Sequence, residues 1–122
     1  MLDANAVTEF SIDKKAKSLR VDLFSGQSLN LSFEYLRVCS PAEAQAKNSQ
    51  LVAHKKLVML AIIESVGKHG YRFVFDDGHH AIYPADYLLN LAESYETRWT
   101  EYLQQIEQSP LSREPSINFK EV

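Results

Sequence analysis

From Ser18 to Phe33 the chain alternates apolar and polar positions: Leu19, Val21 and Leu23 against Arg20 and Asp22, then Leu29, Leu31 and Phe33 against Asn30 and Ser32. A period of two marks strands with one buried face. The turn Ser25-Gly26-Gln27 between the two runs closes them as an antiparallel hairpin. Thr8 to Asp13 is predicted to add an edge strand, and Lys14, Lys15 and Lys17 read as a solvated charged turn beside it rather than as a binding patch. Glu34 to Arg37 predict a helical turn that buries Leu36 and is stopped by Pro41. Ala42 to His54, rich in alanine and glutamine and nearly free of large apolar residues, fits an exposed helix and a loop equally well.

Leu57 to Ser65 is apolar on both alternating faces, which predicts a central strand. Gly67 to Gly70 then turn the chain into Tyr71 to Phe75, where Tyr71, Phe73 and Phe75 share one face. Asp77-Gly78 is a tight-turn signal, with Ala81 to Tyr83 as the returning strand. After Pro84 and Asp86 the apolar positions Leu88, Leu91, Tyr95, Trp99, Tyr102 and Ile106 recur at three- and four-residue steps. That spacing predicts one long amphipathic helix with Trp99 on its buried stripe. The fold class expected is α+β: an antiparallel sheet built from hairpins with a long C-terminal helix packed on it. Residues 1–108 make the single domain, and 109–122, with Pro110 and Pro115, a loosely ordered tail.

Composition narrows the function classes. With 122 residues, 45% hydrophobic and 24% charged, the chain has ordinary globular make-up and room for one domain. A formal charge of -3 lacks the basic excess that phosphate-neutralising proteins need, so nucleic acid is not an expected partner. The other face of the last helix carries Glu93, Glu96, Glu101 and Glu107 against Arg98 and would repel phosphate. Cys39 is the single cysteine, which fits a reducing, cytoplasmic setting. The first residues carry no basic flank followed by an apolar run, and Leu57 to Val66 is too short to span a bilayer, so neither secretion nor membrane insertion is expected.

Three segments in order carry a resemblance: Phe33-Glu34-Tyr35-Leu36-Arg37-Val38-Cys39-Ser40-Pro41, then Ile63-Glu64-Ser65-Val66-Gly67, then Phe73-Val74-Phe75-Asp76-Asp77-Gly78-His79 running into Ile82-Tyr83. Together, across Thr8 to Leu91, the chain resembles the gamma-butyrobetaine hydroxylase-like N-terminal domain family, whose members include short stand-alone bacterial proteins. The resemblance implies an antiparallel sheet with a few helices. In the carnitine-pathway dioxygenases the domain precedes the catalytic fold, and in some proteins it is joined to P-loop iron–sulfur cluster carriers. An accessory role is what this implies, by analogy of context.

The resemblance also implies a structural zinc site in the dioxygenases, made of clustered cysteines after the Leu-Arg pair and the histidine of the Asp-Gly-His turn. Here His79 matches and Cys39 lies near the cluster, but Ser40, Ala42 and Gln45 supply no thiolate. No metal is expected. His79 and His80 on consecutive strand positions point to opposite faces and do not converge on one ion. The plain reading is that Asp77 and Gly78 set the turn and His79 donates a hydrogen bond that fixes the next strand. Cys39 reads as a small, partly buried apolar residue.

No Gly-x-Ser-x-Gly elbow, P-loop or dinucleotide glycine pattern occurs, and the dioxygenase iron ligands belong to a domain this stretch does not contain, so no catalytic residues and no cofactor are assigned. Tyr71, Phe73 and Phe75 read as core rather than as a stacking platform. Two functions are weighed. The first is a non-enzymatic accessory or protein-interaction domain, its unknown partner drawn from iron–sulfur or oxygenase proteins. The second is a small-ligand binder or enzyme with a cleft near the Asp-Gly-His turn, where Arg37, Asp77, His79 and Tyr83 converge.

Overall fold

The computed structural model describes residues 4–44 and 51–115. The alternating runs form two three-stranded antiparallel sheets. In the first, β1 (Val7–Asp13), β2 (Ser18–Leu23) and β3 (Ser28–Ser32) lie in that order. In the second, β4 (Leu60–Ser65), β5 (Tyr71–Phe75) and β6 (His80–Tyr83) do the same. Between the sheets in sequence run the short helices α1 (Phe33–Val38) and α2 (Pro41–Ala44), and α3 (Ala85–Glu93) and α4 (Tyr95–Glu107) follow the second sheet. Of the segment 42–54, which fitted helix and loop alike, α2 is helical as far as Ala44, 45–50 lie outside the described residues, and 51–54 are irregular.

The period-two positions become one continuous core. Leu19, Val21, Leu29 and Leu31 from the first sheet meet Leu60, Phe73, Phe75 and Tyr83 from the second, with Leu88 and Leu91 of α3. Phe10 on β1 joins the two sheets, its ring edge-on to Tyr71 at 4.9 Å and to Phe73 at 5.9 Å between centroids. α1 starts at Ser32, whose hydroxyl accepts the Tyr35 N–H at 3.0 Å and so caps the first turn.

Two elements differ from the sequence expectation for local reasons. The apolar run Leu57 to Ser65 gives an edge strand, with β5 in the centre. A bulge between Leu60 and Ile62 shifts the register, so that Leu60 sits opposite Phe75 on the inner face and Ile62 opposite Val74 on the outer one. The run looks two-sided because an inserted residue moves successive apolar side chains to different faces, not because both faces are covered. The C-terminal helix is divided. Ser94 takes φ -100° and ψ 14° between α3 and α4, and its hydroxyl donates to the Asn90 carbonyl at 2.6 Å. A serine bonded back to the preceding turn competes with the helix ladder and bends it. On α4 the buried residues are Tyr102 and Ile106, whereas Trp99 is half-buried against the core and Tyr95 is exposed.

The segment after α4 lies against the body as far as it is described. Ser112 and Arg113 accept the backbone N–H groups of His54 and Lys56 at 2.8 and 2.9 Å. The Arg113 guanidinium grips both carboxylate oxygens of Glu34, each at 2.8 Å, and sits 5.3 Å from the Trp99 ring centroid.

Candidate functional site

The Asp77-Gly78 turn organises the cluster. Gly78 holds φ +87°, a conformation costly for any residue with a Cβ. The Asp77 carboxylate accepts the His79 backbone N–H at 3.0 Å, the local bond that favours aspartate in turns. Its other oxygen receives Arg37 Nε at 2.8 Å and Lys55 Nζ at 2.7 Å. Burial works to raise the Asp77 pKa, but Lys55, the His79 N–H and Arg37 outweigh it and hold the group at about 2.

Arg37 projects from α1 and is 7% exposed. Its Nη1 donates to Glu43 of α2 at 3.0 Å, so this one guanidinium ties together α1, α2 and the β5–β6 turn. His79 Nε2 lies 2.7 Å from Ser40 Oγ, and its Nδ1 is 3.9 Å from Glu43. Burial and the neighbouring Arg37 push the His79 pKa below its ordinary value.

The structure therefore brings Arg37, Asp77 and His79 together and places Tyr83 beneath them. Tyr83 is fully buried, stacked on Phe73 at 4.4 Å between centroids, and donates its hydroxyl to the Leu36 carbonyl. It is a core residue whose ring does not line an open cleft. The alternation that puts Ala81 and Tyr83 on the inner face and His80 and Ile82 on the outer one was the available signal. Ser40, Glu43 and Lys55 complete the cluster and were not singled out from sequence, because bonds such as Ser40 to His79 join positions 39 residues apart with no local pattern.

Ser40, His79 and Glu43 lie in the order of a nucleophile, base and orienting acid, but the Ser40 side chain has no exposed surface from which to attack a substrate in this arrangement. The residues also do not fit the zinc that the family resemblance implies. Nε2 of His79 is engaged by Ser40, burial pushes the Cys39 thiol up to about 11, and among the described residues no three His, Cys, Asp or Glu side chains are placed to hold a metal ion. The cluster joins its loops by hydrogen bonds and ion pairs, and among the described residues no buried side-chain nitrogen or oxygen lacks a partner.

The comparisons agree with this architecture. Residues 10–89 match the family described as gamma-butyrobetaine hydroxylase-like, N-terminal. A protein solved by NMR in solution is 36% identical, with a TM-score of 0.78 over 93% of this chain and 89% of the other. A second NMR structure is 28% identical, with a TM-score of 0.79 over 98% of each chain. A crystal structure of a protein with unknown function from Acidithiobacillus ferrooxidans, of the DUF971 family, is 28% identical, with a TM-score of 0.63 over 75% of this chain and 98% of the other. No curated protein matches. Matched over most of its length by sequence and nearly end to end by fold, the chain belongs to the gamma-butyrobetaine hydroxylase-like N-terminal domain family.

Proposed function

We propose that the protein is a non-enzymatic accessory domain of the cytoplasm that acts by binding another protein. The supporting observation is the closure of the Arg37–Asp77–His79 cluster. Every charged group in it already has a partner, and the cavity beside Asp77, about 270 Å³, is bordered by His54, Lys55, Leu57 and Pro115 and by none of Arg37, His79 and Tyr83. A reactive cleft keeps some polar capacity for its substrate, and this cluster has spent it on the fold.

The outer face of the second sheet has the opposite character. Ile62 pairs with Val74, and Ile82 pairs with Arg72, which in turn faces Glu64. Ile62 is 51% exposed and Ile82 37%. An apolar centre edged by Glu64, Arg72 and His80 has the make-up of a protein-binding surface. Iron–sulfur and metallo-oxygenase proteins are the partner class that the family's fused contexts suggest. No helix among the described residues is long and apolar enough to cross a membrane.

The test is crosslinked affinity capture from the native cell, with metal analysis of the captured material, for the parent protein and for Ile62→Asp with Ile82→Asp. The double variant keeps its fold, since both side chains already face solvent, and loses the captured partner. An unchanged capture pattern, or saturable small-molecule binding centred on His79, overturns the reading.

A further inference from the structure

A groove of about 580 Å³ opens between the end of α1 and the face of α4. Its volume falls within the roughly 300–1,000 Å³ range of small-molecule sites. Val38, Leu51 and Val52 give it an apolar wall, and Tyr87 and Tyr102 supply the rings. Both tyrosines have committed their polar ends. The Tyr87 hydroxyl donates to the Cys39 carbonyl at 2.6 Å and that of Tyr102 to the Val52 carbonyl at 2.7 Å. What they present to the groove is aromatic surface.

Against this lining stands a cation that no carboxylate among the described residues offsets. Arg98 lines the groove half-buried, with its guanidinium 6.0 Å from the Tyr87 ring centroid. Its Nε donates to Ser94 Oγ at 2.7 Å and its Nη2 to Asn90 Oδ1 at 2.9 Å, both uncharged oxygens. Among the described residues Arg98 has no carboxylate partner, whereas Arg37 holds two, Glu43 and Asp77, and Arg113 holds Glu34. A guanidinium has five N–H donors, so these two bonds leave capacity for a further acceptor. The carboxylate that also borders the groove, Glu43, is neutralised by Arg37 at 3.0 Å. Burial keeps the Cys39 thiol protonated, so the wall adds no negative charge there.

We propose that this groove binds a small organic carboxylate with an apolar or aromatic body, the carboxylate on Arg98 and the body between Tyr87, Tyr102 and Val38. Neutral bodies of the same shape leave the cation unpaired, and bare anions leave the apolar wall wet. The ligand must carry both features. The site lies apart from the outer face of the second sheet and meets the Arg37 cluster at Ser40 and Glu43, which border both.

The probe is phenylacetate, titrated into the whole protein while backbone amide shifts are followed by NMR, with phenylacetamide as the uncharged body and acetate as the bodiless anion. Phenylacetate is expected to give saturable shifts centred on Cys39, Tyr87 and Gln105, with both controls weaker by at least roughly tenfold, the scale of one charge-assisted bond. Arg98→Gln removes the cation. Because Arg98 also braces Ser94, Gln105→Glu is the second variant: Gln105 is exposed on α4, the substitution leaves the fold intact, and it puts a repelling carboxylate at the groove. Both weaken binding by a comparable factor. Equal binding of phenylacetamide, shifts centred on another surface cation, or undiminished binding by Gln105→Glu overturns the assignment.

Discussion

Removing the Arg113 side chain tests whether the segment after α4 is part of the folded unit. Glu34 sits in the first turn of α1 and its side chain is 7% exposed, so its charge depends on the two bonds from Arg113, each 2.8 Å long. Truncating one member of a buried ion pair costs about 3–5 kcal/mol, mostly because the remaining charge is left unpaired. Arg113 is itself 33% exposed, so water reaches one side of the pair and the lower figure of about 2–3 kcal/mol applies to Arg113→Ala. At about 2.1 cal/mol/K of unfolding entropy per residue, that lowers Tm by roughly 8–12 °C.

Calorimetry of four proteins separates the contributions. Arg113→Ala carries the full penalty. Arg113→Lys keeps a charge but loses the fork and falls between. Glu34→Gln with Arg113→Met removes both charges and recovers most of the loss, since replacing a buried pair as a whole is often close to neutral. In Arg113→Ala the Lys56 N–H, bonded to the Arg113 carbonyl at 2.9 Å, exchanges faster with solvent. If Arg113→Ala melts within about 0.5 kcal/mol of the parent, the size of an ordinary surface change, the pair does not hold this segment and the reasoning is refuted.

Two further outcomes follow from the cluster and its turns. Gly70 has φ +120°, and an added Cβ would lie 2.6 Å from the Tyr83 carbonyl oxygen and 2.8 Å from the Pro84 Cα, so Gly70→Ala lowers the melting point more than Gly78→Ala, where open space leaves only the φ penalty; equal losses would contradict this. Stability also falls in acid in two stages. His79, held below its ordinary 6.5, is neutral when folded and protonates more readily when unfolded, so its contribution fades as pH drops from about 6.5 through the folded value. Asp77, held at about 2 against 3.8 unfolded, adds a second loss between those values. In chemical denaturation across pH, His79→Gln removes the first stage and Asp77→Asn the second; a parent profile flat down to pH 4 would contradict the first, and one that falls no further between pH 4 and about 2 would contradict the second.

Sequence made the first sheet and the β5–β6 hairpin legible because alternation is a local property. Leu19, Val21, Leu29 and Leu31 are all at most 5% exposed, as the period of two requires. Ser94 and the Leu60–Ile62 bulge were not legible. A serine within an amphipathic run is compatible with an unbroken helix, and only its bond to Asn90 reveals the bend. The bulge preserves apolar composition while changing which face each side chain takes. Of the candidate site, Arg37, Asp77 and His79 were visible because a turn and a helix end mark them. Their partners were not, since Arg37 meets Asp77 across 40 positions and Arg113 meets Glu34 across 79.

The groove and the Arg113 strap share one element. Arg98, Tyr102 and Gln105 all project from α4, so the groove has its second wall only while that helix is docked. Tyr102 and Ile106 supply the buried contacts, but they are few for a helix whose opposite side carries charge. Tyr95 and Trp99 add edge-on contacts to Tyr35, and groups at the flanks add further hold: Ser94 and Asn90 bracing Arg98 at the start, and Arg113 closing on Glu34 and Trp99 beyond the end. Arg98 thus helps fix the helix that positions it, while its charge, without a carboxylate partner among the described residues, is held at the groove by neutral oxygens that orient the guanidinium without neutralising it. A carboxylate partner in place of Ser94 or Asn90 would anchor the helix more strongly and leave the groove without a charge to recognise.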